Sequence, residues 1–240
     1  MEAPLSADTT TKNAERRAAT PIAGAIAGIL FAVLFAVSVT ILNNTMADVA
    51  RDTGAWLEVG AGPFKFALGL IPFAGLFFLW FIAVARERLG RFEDQFFATV
   101  FLGSGLLFLA MVFAAAAAAG AIAAAYAKAP STFISSSTYL YARQMVAQVF
   151  TVYALRMAAV FILSQATLWM RTGVMPKWMA LLSYVVALVL LFVFTHASWV
   201  VLIFPAWVFL VSVHILATRL TGHGPAARDA VSLPQKDAGT

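Results

Sequence analysis

Apolar residues run in six long blocks along the chain, and polar and charged positions gather in the short links between them. The blocks cover Pro21 to Leu42, Gly62 to Ala85, Phe96 to Ala119, Met145 to Trp169, Trp178 to His196 and Trp199 to Ala217. Each is close to the ~20 residues that a helix rising about 1.5 Å per residue needs to cross a hydrocarbon layer about 30 Å thick. None alternates apolar with polar positions over ~10-residue segments, so the pattern does not point to a membrane β-barrel. It predicts an all-α bundle of six transmembrane helices over residues 21–219, flanked by disordered cytoplasmic tails at 1–20 and 220–240.

Composition sharpens this picture. Hydrophobic residues make up 62% of the 240 and charged residues 11%, against roughly 45–50% and about 25% in soluble domains. Water would not solvate such a surface. The absence of Cys removes disulfides, thiolate catalysis, Cys-held zinc and iron–sulfur clusters.

The net charge of +5 does not point to nucleic acid, because the basic residues sort by link instead of gathering in one patch. Alternate links and tails hold Lys12, Arg16, Arg17, Arg86, Arg88, Arg91, Arg171, Lys177, Arg219, Arg228 and Lys236, while the opposite links hold Arg51, Lys128 and Arg143. Lys and Arg are retained on the cytoplasmic side, so the partition puts both termini inside, as an even number of spans requires. The Arg16-Arg17 pair before an apolar run resembles a secretory signal, but the run is longer than the ~7–15 residues of a signal core and no small-x-small site closes it.

Within the blocks, Gly24 and Gly28 stand at the GxxxG spacing that lets helix backbones approach. The expectation is close packing inside one subunit, with a dimer face as the competing reading. Pro72 and Pro205 remove a backbone hydrogen bond and are expected to bend the second and sixth spans. The Ala-rich stretch from Ala114 to Ala127 either tilts the third span strongly or carries it past the membrane. The link Lys128 to Arg143 reads as a flexible outer loop, with Tyr139 and Tyr141 at the interface. Trp80, Trp169 and Trp178 near the inner boundary, and Trp56 and Trp199 near the outer one, predict an aromatic belt.

The hairpin Arg171-Thr172-Gly173-Val174-Met175-Pro176-Lys177-Trp178 resembles a turn of bacterial multi-pass membrane proteins of uncharacterised function. The likeness covers about 30 residues. It implies a bacterial source, hence the inner (plasma) membrane, and no activity. The turn also has a purely physical reading: Gly173 ends one helix, Pro176 starts the next, the bases anchor at the inner face and Trp178 sits at headgroup level.

Arg156 falls well inside the fourth block, where a charge costs ~2.5–3.5 kcal/mol on insertion scales and must face protein or water. All eleven acids lie outside the blocks, so no intramembrane carboxylate is expected to pair with it. Gln144, Gln148 and Arg156 share one flank of that helix, and Tyr153 and Gln165 are further polar neighbours. Lys65, near the outer end of the second span, could join them across the bundle. Together Arg156, Lys65, Gln148, Gln144 and Tyr153 form a candidate pocket for an anionic lipid or small anion. The opposing expectation is that Lys65 snorkels to the headgroups and Arg156 bonds backbone carbonyls and Gln or Tyr side chains.

His196, His214 and His223 are too far apart along the topology to share a metal. No HExxH, GxSxG, P-loop or GxGxxG is present, so no cofactor, metal or catalytic residue is assigned. The expected role is a non-enzymatic accessory or interaction component. It would sit in the lipid bilayer against another membrane subunit or a copy of itself. The alternative is a transporter or lipid-binding protein built on Arg156 and Lys65.

Overall fold

The computed structural model describes residues 5–46, 54, 56–59, 61–89, 95–192 and 199–220. These residues form helices α1 (Leu5–Thr45), α2 (Trp56–Val59), α3 (Ala61–Leu89), α4 (Gln95–Lys128), α5 (Pro130–Ile134), α6 (Ser137–Ala147), α7 (Leu155–Thr172), α8 (Lys177–Phe192) and α9 (Val200–Leu220), with a π-helical segment, Gln148–Ala154, joining α6 to α7. There is no strand among them. Helical backbone runs back from the first apolar block to Leu5, and the tail expected over 220–240 lies outside the described residues apart from Leu220.

Five stretches are long and apolar enough to cross a bilayer: Ile22–Thr45, Ala61–Arg86, Phe96–Lys128, Ser137–Thr172 and Val200–Thr218. This is the make-up of a membrane-embedded helical protein. The fifth expected block is represented by α8, whose 16 residues rise about 24 Å, short of a full hydrocarbon crossing. Residues 193–198 of that block lie outside the described set.

The helices close into a ring. α1 packs on α3 and α9, α4 on α3 and α7, α7 on α8, and α9 completes the circuit against α7 and α8. Hydrogen bonds tie neighbours at the few polar points: Ser38 Oγ donates to the Ala67 carbonyl (2.8 Å) between α1 and α3. Trp207 Nε1 donates to Ser183 Oγ (2.9 Å) between α9 and α8. Thr167 and Tyr184 share a hydroxyl contact of 3.0 Å between α7 and α8. Such bonds are modest net contributors in lipid but fix which faces meet.

The centre is filled by rings. Phe78 of α3 lies 4.6 Å from Phe31, 5.4 Å from Phe108, 5.4 Å from Phe161 and 5.7 Å from Phe204, centroid to centroid. One helix each of α1, α3, α4, α7 and α9 thus contributes to a single aromatic knot, whose tilted and edge-on geometries match the ring quadrupoles. In lipid, hydrophobic burial between helices is worth little, and this dense dispersion contact is what holds the bundle.

Glycines permit the close approaches. A Cβ on Gly28 would stand 2.0 Å from Ser212 Oγ and 2.8 Å from Phe81, and one on Gly24 would stand 2.4 Å from Val84. The GxxxG pair is therefore spent on α3 and α9 of the same chain. α3 and α9 run unbroken through Pro72 and Pro205. At the α7–α8 turn Gly173 adopts φ 64°, the left-handed cap expected of it, and its N–H donates to the Trp169 carbonyl at 2.9 Å.

One end of the ring, which we call the cap end, is where α1 finishes and α3 begins. The opposite, tail end carries the α7–α8 turn. The 33 residues Phe96–Lys128 and the 36 residues Ser137–Thr172 extend about 50 Å or more at helical rise, beyond the ~30 Å of a hydrocarbon core. Arg171 of α7 caps the ring of Phe97 at the tail end, 4.6 Å from its centroid, so the surplus length lies at the cap end. This corrects the expectation of a flexible loop over Lys128 to Arg143: α5 and α6 occupy it. The helical run is favoured there because Ser136 caps α6, its Oγ accepting from the Tyr139 N–H at 3.2 Å.

Candidate functional site

The five residues expected to form an anion pocket do not converge. Lys65 is exposed on the outside of α3, and Gln144, Gln148 and Tyr153 are exposed along α6 and the π segment. Arg156 is half-buried, and its Nη1 donates to the Val152 carbonyl at 2.8 Å. A π turn misaligns the backbone ladder, and the guanidinium supplies a donor to a carbonyl within that turn. α3 packs chiefly on α1 and α4, whereas the π segment packs on α4, α6 and α7, which separates Lys65 from Arg156.

Arg156 is also less deep than its place in the apolar block suggests. Phe161 meets Phe204 at 6.1 Å, and α7 and α9 run in the same direction. Counting back from this contact places Arg156 level with the first residues of α9, near the cap-end boundary of the bundle. A long side chain there reaches the interface at much smaller cost than at the bilayer centre.

Among the described residues the buried cation is a different one. Arg143 is 3% exposed, and its guanidinium carbon lies 5.6 Å from the centroid of Trp56, within cation–π range. Trp56 Nε1 in turn donates to Tyr139 Oη at 3.2 Å, and the Trp56 ring meets Phe64 at 4.8 Å. Gly54, at φ 76°, lets its backbone lie against Ile134, where a Cβ would come within 2.7 Å of Cδ1. Beside this cluster an open concavity of about 450 Å³ runs along Ile134, Ser135, Ser136, Ser137, Tyr139, Leu140 and Arg143. The signal for Arg143 was its spacing: Tyr139 and Arg143 are four apart, one turn of a helix that a loop assignment hides.

The tryptophans divide in a way the expected belt did not distinguish. Trp80, Trp178 and Trp199 are exposed on the bundle, but Trp56 and Trp169 are core residues, Trp169 stacking on Trp207 at 6.0 Å.

At the tail end a smaller crevice of about 40 Å³ is lined by Gly24, Phe81, Gln165, Trp169, Met175 and Ile215, among others. On the outside of α3, a Cβ at Gly62 or Gly69 would have no described residue within 4 Å, and the two alternate with the exposed Phe66 and Phe73. Among the described residues no three His, Asp or Glu side chains group as metal ligands would.

No protein-family model matches the chain, and no curated protein or solved structure matches it. The geometry alone therefore bears on its role.

Proposed function

We propose that the protein is a non-catalytic, six-span component of the inner (plasma) membrane, with both termini cytoplasmic, which works by docking a transmembrane helix of another subunit or of a second copy against α3. The observation that carries this reading is the ridge Gly62, Phe66, Gly69, Phe73, Leu76, Trp80. Its members recur at alternating spacings of four and three residues and all are exposed. Heptad-like spacing of large and small residues offers knobs and holes to a facing helix. The span glycines Gly24, Gly28, Gly75 and Gly105 are explained by contacts inside the chain; Gly62, Gly69 and Gly103 meet no described residue, the first two on this ridge, and an open glycine in a helix costs about 1 kcal/mol against Ala. The sorting of Lys and Arg supports the orientation, with the cap end outside, and α8 extended through residues 193–198 would complete the sixth span.

The anion-transport reading has less support, because Arg156 bonds its own backbone, Lys65 faces outward, and the Phe78 knot fills the middle of the ring.

The lack of native Cys makes a clean test. Single cysteines at Phe66, Gly69 and Phe73 are expected to give disulfide-linked species in native membranes, in preference to cysteines at Leu181 and Leu188, the exposed face of α8. Equal yields at the two faces would contradict the reading. Native mass spectrometry of the linked species separates a second copy from another subunit.

A further inference from the structure

The tail-end crevice holds a polar atom that no described residue pairs with. Gln165 is 3% exposed, and its Oε1 is buried without a hydrogen-bond partner among the described residues. An unmet buried amide is costly, since its desolvation goes uncompensated, and native proteins avoid the state or fill it with a ligand or water. The neighbouring walls, Phe81, Trp169, Met175 and Ile215, are apolar, and Gly24 and Val84 complete them where α1 meets α3. The α7–α8 turn roofs the space, with Val174 exposed at its mouth.

Size restricts the occupant. The crevice offers about 40 Å³, where a single water needs ~10–15 Å³. A few waters fit, and so does the terminal group of a longer apolar molecule entering past Val174. A carboxylate or phosphate would bring a charge to an apolar pocket with no cation among its lining residues. A hydroxyl is neutral, and it both donates and accepts, so it satisfies an amide presenting either of its terminal atoms.

We propose that this crevice is a binding site for a hydroxyl group, water or the end of an apolar alcohol, held at its floor by the Gln165 amide. The inference does not depend on the α3 ridge, which lies on the outside of the bundle.

Two measurements on the full chain in lipid nanodiscs test it. The Trp169 indole N–H resonance is followed as 1-hexanol or n-hexane is added, in the wild type and in Gln165→Leu and Gln165→Met. Both variants replace a buried amide whose oxygen is unpaired by an apolar side chain of similar volume and are expected to keep the wild-type melting curve. An experimental structure of the wild type then shows whether ordered solvent lies within hydrogen-bond distance of the Gln165 amide. For an alcohol, hexanol shifts the resonance saturably, hexane does not, and the variants bind hexanol roughly five-fold more weakly, as loss of one hydrogen bond requires. For water, neither probe acts saturably, but solvent density stands at the amide. Equal responses to hexanol and hexane, a hexanol response unchanged in the variants, or an empty crevice with no response would each overturn the proposal. The solvent density of the wild type decides the matter even if neither variant folds.

Discussion

Two hydrophobic centres among the described residues solve the same packing problem with different side chains. The central knot is built from Phe31, Phe35, Phe78, Phe108, Phe161 and Phe204, rings with no polar atom. The cap-end cluster is built on Trp56, Phe64, Ile122 and Tyr139, and the indole and phenol in it are joined by a hydrogen bond with Arg143 against the indole face. In hydrocarbon a polar handle must find an internal partner, so a carbon-only knot is the low-cost solution. Near the interface, water competes with weak contacts, and amphipathic rings with a cation specify one arrangement where plain hydrocarbon would leave several. The difference in composition marks where the solvent changes along the bundle.

The largest effect that could break this comparison belongs to the knot. Phe78→Ala removes the ring that meets rings on four other helices and is expected to cost about 3–5 kcal/mol, read as an early loss of the near-ultraviolet circular dichroism signal on heating in detergent. A loss no greater than that of a lipid-facing control, Leu181→Ala, would show that the rings do not hold the bundle together. Gly28→Ala comes next, at about 1–3 kcal/mol from overpacking against Ser212. Ser212→Ala should recover part of that loss, so thermal melts of the double-mutant cycle should be non-additive; simple additivity would mean that α1 and α9 do not meet at this point.

The cap should respond locally. Tyr139→Phe deprives the Trp56 N–H of its acceptor and is expected to cost about 1 kcal/mol, visible as faster hydrogen exchange over α6 while α3 and α9 keep their protection. Arg156→Leu is the smallest change, about 1 kcal/mol or less in the same melts, because Arg156 lies near the boundary and donates to a backbone carbonyl of its own helix. A collapse of the bundle on this substitution would restore Arg156 to the central role its sequence position suggests.

Much of this architecture is legible in the chain itself. The apolar blocks locate the spans because hydrocarbon demands uninterrupted helix, and the Gly173 and Pro176 punctuation locates the turn between α7 and α8. What hydropathy does not carry is facing and overhang. Trp169 and Trp56 look like belt residues by position and prove to be core, because the side of a helix that meets its neighbours is set by partners remote in sequence. The link from Lys128 to Arg143 looks like a loop because Ser and Pro cluster in it, yet Ser136 is a helix cap and Pro130 opens α5. That continuation buries Arg143 and leaves Arg156 half-buried against its own helix, a difference in burial that residue types alone do not carry. Gln165 is an amide in an apolar run, but its isolation becomes evident only when α1, α3, α9 and the α7–α8 turn close around it.

The central claim is that an aromatic-filled bundle lies in the membrane and carries a packed cap beyond it, on the side we propose to be the outer one. It is tested most directly by labelling single cysteines in intact cells with a membrane-impermeant maleimide. Leu140→Cys and Tyr141→Cys, exposed on α6, are expected to react from outside, Phe73→Cys and Leu188→Cys to resist, and Thr218→Cys to react only after permeabilisation. Labelling of Thr218→Cys in sealed cells with Leu140→Cys protected, or rapid labelling of Phe73→Cys, would contradict it.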